Sequence, residues 1–229
     1  MLKFIATYGA RSRTMNDEFE FKNPPLIDEE DDEEGEENGD ENGKDKEGAS
    51  PLVMKLLKSR TIIVSKQVDD RLAAAVVAQL RVLEDEDASK PVTFIINSPG
   101  GSADSGFAIM DYMRFVKCPI RSIVCGICAS AAVMIHLGAD KGARFCTPSS
   151  RFLLHQPSMR ASGQASDLEI LSAEIDRLKL YYNQVVAEET GQDLKKVEKD
   201  VHRDFWLPSV EAQKYGLVDK VVASRGEIE

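Results

Sequence analysis

Three histidines stand in this chain, His136, His155 and His202, and they limit which serine or cysteine can act as a nucleophile. A serine hydroxyl attacks a carbonyl only when a neighbouring base removes its proton. Ser130 meets the positional demand: it follows an apolar β-type run, is flanked by Ala129 and Ala131, and opens the small-residue stretch "ASAAVMIHLGA". At the start of a helix its Oγ is exposed, and the free N–H groups of the first turn can support an oxyanion. His155 lies in "FLLHQPS", at the end of an apolar strand and before a Pro turn. Asp204, in "HRDFWLPSVEA", can orient an imidazole or, equally, cap the helix expected near Ser209. "INSPGGS", residues 96–102, ends a strand with two glycines, which lets bare backbone N–H groups approach a ligand.

A competing site is Cys125-Gly-Ile-Cys128. A zinc centre requires about four ligands, typically two such pairs or a pair with histidines, and Cys118 and Cys146 stand alone. A redox C-x-x-C usually begins a helix from an exposed turn. Here the first cysteine ends an apolar strand, so buried thiols packed as small hydrophobes are expected. With no secretory signal in the chain, the four cysteines are expected to stay reduced in a cytosol-like compartment.

The elements that must position these residues are legible from their periods. "TIIVS" (61–65), "VTFIIN" (92–97) and "IRSIVCGI" (120–127) are β-branched runs, and "RFCTP" and "RFLLHQP" read as further short strands. Residues 68–86 and 102–117 have helical character, as does the small-residue run after Cys128. A long helix is expected over 167–190, opened by the capping-box pattern Ser166-x-x-Glu169 and stopped at Gly191. A helix of this length, roughly 36 Å, projects beyond a small core and suggests a partner subunit.

Composition divides the chain in two. Residues 1–50 carry 16 acidic and 6 basic residues, whereas 51–229 carry 23 of each, so the net charge of −10 lies in the first 50. Residues 28–48 contain only Asp, Glu, Asn, Gly and Lys, and such a segment has no apolar side chains to offset the entropy of ordering. The expected organisation is an acidic N-terminal extension, 1–50, and a globular domain, 51–229. No basic surface points to nucleic acid, and no apolar run approaches the ~20 residues of a membrane span. No phosphate loop of the G-x-x-x-x-G-K-[ST] type is present.

Taken in order, "INSPGGS", "CAS", "LLHQP", "GQASDLEI", "TGQ" and "RDFWL…EA..YGLVD" resemble the proteolytic subunits of the Clp (caseinolytic) proteases, over roughly residues 51–223. The resemblance implies an α/β fold: a crotonase-like, repeated ββα spiral with a protruding handle helix. It implies a serine endopeptidase with Ser130 as nucleophile, His155 as base and Asp204 as orienting acid; the separations of 25 and 49 residues fit it. Gly101 and Ala131 would supply the oxyanion N–H groups. It further implies two stacked heptameric rings, homo- or hetero-oligomeric, a hexameric ATP-driven unfoldase as partner, unfolded polypeptide substrates, a cytoplasmic location, and no cofactor on this chain. Where the family usually has Ser-Met-Gly, this chain has Ser130-Ala131-Ala132, and where a Gly-Gly pair follows His-Gln-Pro it has Met159-Arg160. Two other readings are a non-catalytic structural subunit of a mixed ring, and a crotonase-type acyl-CoA enzyme using Gly101 as oxyanion donor.

Overall fold

The computed structural model describes residues 51–159 and 161–228; the acidic extension 1–50 and Arg160 lie outside the described residues. Among the described residues, seven strands and seven α-helices follow in chain order: α1 (Pro51–Lys58), β1 (Thr61–Val64), α2 (Asp70–Glu86), β2 (Val92–Ser98), α3 (Ala103–Phe115), β3 (Ile120–Ala129) and α4 (Ala131–Leu137). Then come β4 (Arg144–Cys146), β5 (Arg151–Leu154), α5 (Ala165–Thr190), α6 (Leu194–Asp200), β6 (Phe205–Pro208), α7 (Ser209–Tyr215) and β7 (Lys220–Val221).

The β-branched runs become one parallel path, β1-β2-β3-β4-β7. Helices cross one face of it and bury their apolar stripes there. In α2 the buried residues are Ala73, Val76, Leu80 and Leu83, the spacing of one helix face. Asp69 opens this helix by accepting from the Leu72 N–H at 2.7 Å, and Ser102 opens α3 by accepting from the Ser105 N–H at 3.2 Å.

Strand β3 belongs to two ladders. Its first half pairs β2 on one side and β4 on the other, while Ile127–Ala129 pairs β5, which is antiparallel to β6. The change of partner occurs at Gly126, whose φ is +109°. A Cβ there would lie 2.6 Å from Asn97 Oδ1, the atom that accepts from the Ile127 N–H at 3.1 Å. The bend therefore requires glycine, and Asn97 staples it.

Helix α5 runs from Ala165 to Thr190, and its buried residues are confined to Tyr182, Asn183, Val185 and Val186 near its end. Its first four turns leave the core, with Ile170 70% exposed. It ends on Gly191 in the left-handed region. The expected capping box does not form: the chain is already helical at Ala165, Gln164 caps it, and backbone bonds from Asp167 and Leu168 reach the Gln164 carbonyl. Ser166 and Glu169 consequently sit inside the helix, Glu169 beyond its first turn. Among the described residues no helix is long and apolar enough to cross a membrane.

Candidate active site

Ser130 occupies the corner between β3 and α4, with φ 55° and ψ −123°. Such a conformation costs a non-glycine residue on the order of 1–3 kcal/mol and persists only where the surroundings fix it. Two backbone bonds do so. The Ser130 N–H donates to the Leu153 carbonyl at 2.9 Å, and the Ser130 carbonyl accepts from the Val133 N–H at 2.9 Å. Two glycines make room for the corner. A Cβ on Gly100 would stand 2.8 Å from Ser130 Cβ and 2.4 Å from the Ala129 carbonyl oxygen. One on Gly106, within α3, would meet the Ala131 carbonyl oxygen at 2.9 Å. Ala131 and Ala132 are both buried beneath it.

Sheet register brings the other two residues to this corner. Ala129 pairs with Leu153, so Ser130 leaves its strand beside the end of β5, where His155 follows. Leu154 pairs with Phe205, so Asp204 arrives just ahead of β6 on the far side of His155. His155 Nδ1 lies 3.4 Å from Asp204 Oδ1. Asp204 does not cap the helix at Ser209; Pro208 holds that position, without a side-chain bond. A separation of 3.4 Å is just beyond a well-formed N–H···O bond and closes with a shift of a few tenths of an ångström.

The remaining histidines are accounted for. His136 is fully buried in α4, with Nε2 3.0 Å from the Leu217 carbonyl and Nδ1 2.7 Å from Ser122 Oγ. The carbonyl only accepts, so Nε2 carries the proton and Ser122 donates to Nδ1. Burial, with the Arg144 guanidinium nearby, pushes its pKa down to about 3. This imidazole is a neutral core group. His202 is exposed and offers only its backbone carbonyl, to Gln156 Nε2.

The cysteine motif lies within an extended strand. Three residues of strand span about 10 Å, too far for a disulfide between Cys125 and Cys128. All four thiols are free, and burial raises the pKa of Cys128, Cys146 and Cys125. Cys128 is buried as expected, but Cys125 is only half-buried, because it alternates with the buried Ser122 and Val124 and shares the less covered face of the strand with Arg121 and Ile123. Among the described residues no group of His, Cys, Asp and Glu forms a metal-binding cluster.

Ser130, His155, Gly101 and Ala131 line one cavity of about 620 Å³. The bridge between Val68 and Gly101 uses the Val68 and Ser102 N–H groups and the Gly100 and Val68 carbonyls, which leaves the Gly101 N–H outside it. The Ala131 N–H is the first of α4 and has no intrahelical acceptor. Two backbone donors without an acceptor among the described residues thus flank the serine, a suitable arrangement for charge on a carbonyl oxygen. The sequence had pointed to the Gly100-Gly101 turn but not to Asp104, which also lines this cavity, or to Gly106, which packs against Ala131. A glycine in the first turns of a helix was the available sign of close approach at Gly106.

The chain is similar to known proteins over most of its length. The Clp protease family profile matches residues 44–225. The chain is 43% identical over 177 residues to "ATP-dependent Clp protease proteolytic subunit 2" of Treponema denticola, covering 77% of this chain and 88% of that protein. Its structure resembles that of a point mutant of ClpP1 from Listeria monocytogenes, with a TM-score of 0.72 and 35% identity over 78% of this chain and 99% of the other. The fold is ClpP-like, with α5 as the protruding handle, and this chain belongs to the Clp protease family, as a proteolytic subunit and serine-type endopeptidase.

Proposed function

We propose that Ser130, His155 and Asp204 form the catalytic triad of this endopeptidase, with the Gly101 and Ala131 N–H groups as its oxyanion donors. The observation that carries the reading is the register, which delivers a strained serine, a histidine and an aspartate to the ends of three neighbouring strands, the serine and the histidine lining one cavity. His155 takes the Ser130 proton as Oγ attacks a peptide carbonyl, and later returns it to the leaving amine. Asp204 holds the imidazole with Nδ1–H toward itself and stabilises the imidazolium, without being protonated. The tetrahedral oxyanion is held by the two backbone donors, each worth roughly 3 kcal/mol in comparable sites.

The substrates in this reading are unfolded polypeptides, cleaved to short peptides inside two stacked heptameric rings of cytoplasmic location, either homo- or hetero-oligomeric. ATP hydrolysis belongs to a separate hexameric unfoldase, and this chain takes no cofactor. The name of the Treponema denticola relative, an ATP-dependent protease's proteolytic subunit, supports that division of labour, as does the core-free first half of α5, which offers apolar side chains to a neighbouring copy. A fluorophosphonate probe tests the central assignment. It is expected to label Ser130 of the full-length protein and to leave Ser130→Ala unlabelled. An unlabelled wild-type chain that becomes reactive only when mixed with a second Clp subunit would instead mark this chain as a structural member of a mixed ring.

A further inference from the structure

The cavity beside Ser130 has an apolar wall and, among the described residues that line it, one carboxylate. Met134 of α4 and Ile175, Leu178 and Tyr182 of α5 form its apolar wall. Asp104, in the first turn of α3, is exposed and also lines it. Besides Asp104, the ionisable groups among the described lining residues are His155 and the Tyr182 hydroxyl; none of these described residues is a Lys or Arg. Among the described residues, Asp104 makes no ion pair.

Helix phase fixes where Asp104 faces. Ser105, the next residue, turns inward and donates to Asp70 Oδ1 at 2.7 Å. Gly106 packs against Ala131, whose N–H flanks the serine. Asp104 is therefore carried on the turn of helix that touches the nucleophile's own neighbour, and the cavity joins it to Ser130.

We propose that Asp104 is a specificity-determining residue that favours lysine or arginine at P1, the substrate residue whose carbonyl Ser130 attacks. The inference rests on Ser130 being the nucleophile. A lysine or arginine side chain has an apolar stem and a cationic head, and such side chains bury the stem while the head finds a counter-charge. Here the stem lies along Met134, Leu178 and Tyr182, and the head reaches the Asp104 carboxylate. A P1 glutamate meets the same carboxylate as a like charge and is rejected.

The test uses the full-length protein and fluorogenic peptides that differ only at P1, carrying Lys, Leu or Glu. For the wild type, kcat/KM is expected to fall in the order Lys, Leu, Glu. In Asp104→Asn the Lys-to-Leu ratio is expected to drop roughly fivefold, the scale of an exposed ion pair, and added salt should lower the wild-type ratio in the same direction. Asp104→Lys should place Glu ahead of Lys. An unchanged Lys-to-Leu ratio in Asp104→Asn, with Ser130 still labelled by the fluorophosphonate probe, overturns this proposal and leaves the nucleophile assignment standing. If Ser130→Ala hydrolyses the peptides as fast as wild type, the nucleophile assignment fails and this proposal with it.

Discussion

Replacing Gly100 with alanine isolates how closely the Pro-Gly-Gly loop and the serine corner depend on each other. Gly100 has φ +89°, a backbone conformation that costs an alanine roughly 1–2 kcal/mol. The added Cβ would also stand 2.4 Å from the Ala129 carbonyl oxygen, 2.8 Å from Ser130 Cβ and 3.0 Å from the Ala131 N. All three neighbours belong to the corner, two of them backbone atoms, so relief requires moving the loop or Ser130 by about half an ångström or more. Overpacking of this kind costs about 1–3 kcal/mol, giving a total loss near 2–5 kcal/mol and a fall in Tm of roughly 5–15 °C. Displacement of a nucleophile and an oxyanion donor together is expected to lower kcat/KM on the order of a hundredfold. Gly142 supplies the control. It shares the φ of +89°, but nothing lies within 4 Å of its would-be Cβ. Gly142→Ala should show the backbone cost alone, a drop in Tm of a few degrees with unchanged peptide hydrolysis. Peptidase assays and thermal melts of the two variants side by side decide the matter. Equal activity in Gly100→Ala and Gly142→Ala would refute the claim that the loop braces the serine.

The buried His136 makes folding stability sensitive to acid. Its folded pKa lies near 3, below the ordinary value of 6.5, so the stability it protects is complete above pH 6.5 and is lost as pH falls toward 3. At pH 4.5 this single group should cost about 2–3 kcal/mol, which urea titrations at pH 7 and 4.5 would read; a His136→Gln variant with the same acid dependence would refute the attribution. Thiol chemistry offers a second test. Native labelling with a maleimide should begin at Cys125, with Cys118, Cys128 and Cys146 reacting only after denaturation, as read by peptide mass spectrometry.

The strands were legible from their β-branched residues, half of which alternate onto the covered face of the sheet, as in Val92–Ser98 and Ile120–Ala129. The short list of histidines narrowed the choice of base, while the roles expected of Ser130, His155 and Asp204 came from the ordered motifs that resemble the Clp proteases. What the sequence left open depends on partners distant in the chain. Strand β6 exists because Phe205–Pro208 pairs with β5, and nothing in "FWLP" alone requires it. The two short helices α1 and α6 were likewise unread, since eight or fewer residues carry too little periodicity. The capping pattern at Ser166 misplaced the start of α5 because helix had already begun at Ala165. Gly126 was legible only as the middle of a cysteine pair; its use, bending one strand between two ladders, depends on Asn97, 29 positions earlier.

The 48 residues between His155 and Asp204 include the whole of α5 and α6, yet none of that chain sets their distance. Four rungs of the β5–β6 ladder, from Arg151–Pro208 to Leu154–Phe205, do so instead. The handle is thus a detour hung on a closed hairpin-like frame. It can lengthen, shorten or change its exposed face to suit a different neighbour while the histidine and aspartate stay in register. Assembly and chemistry occupy the same stretch of sequence, but they can diversify independently.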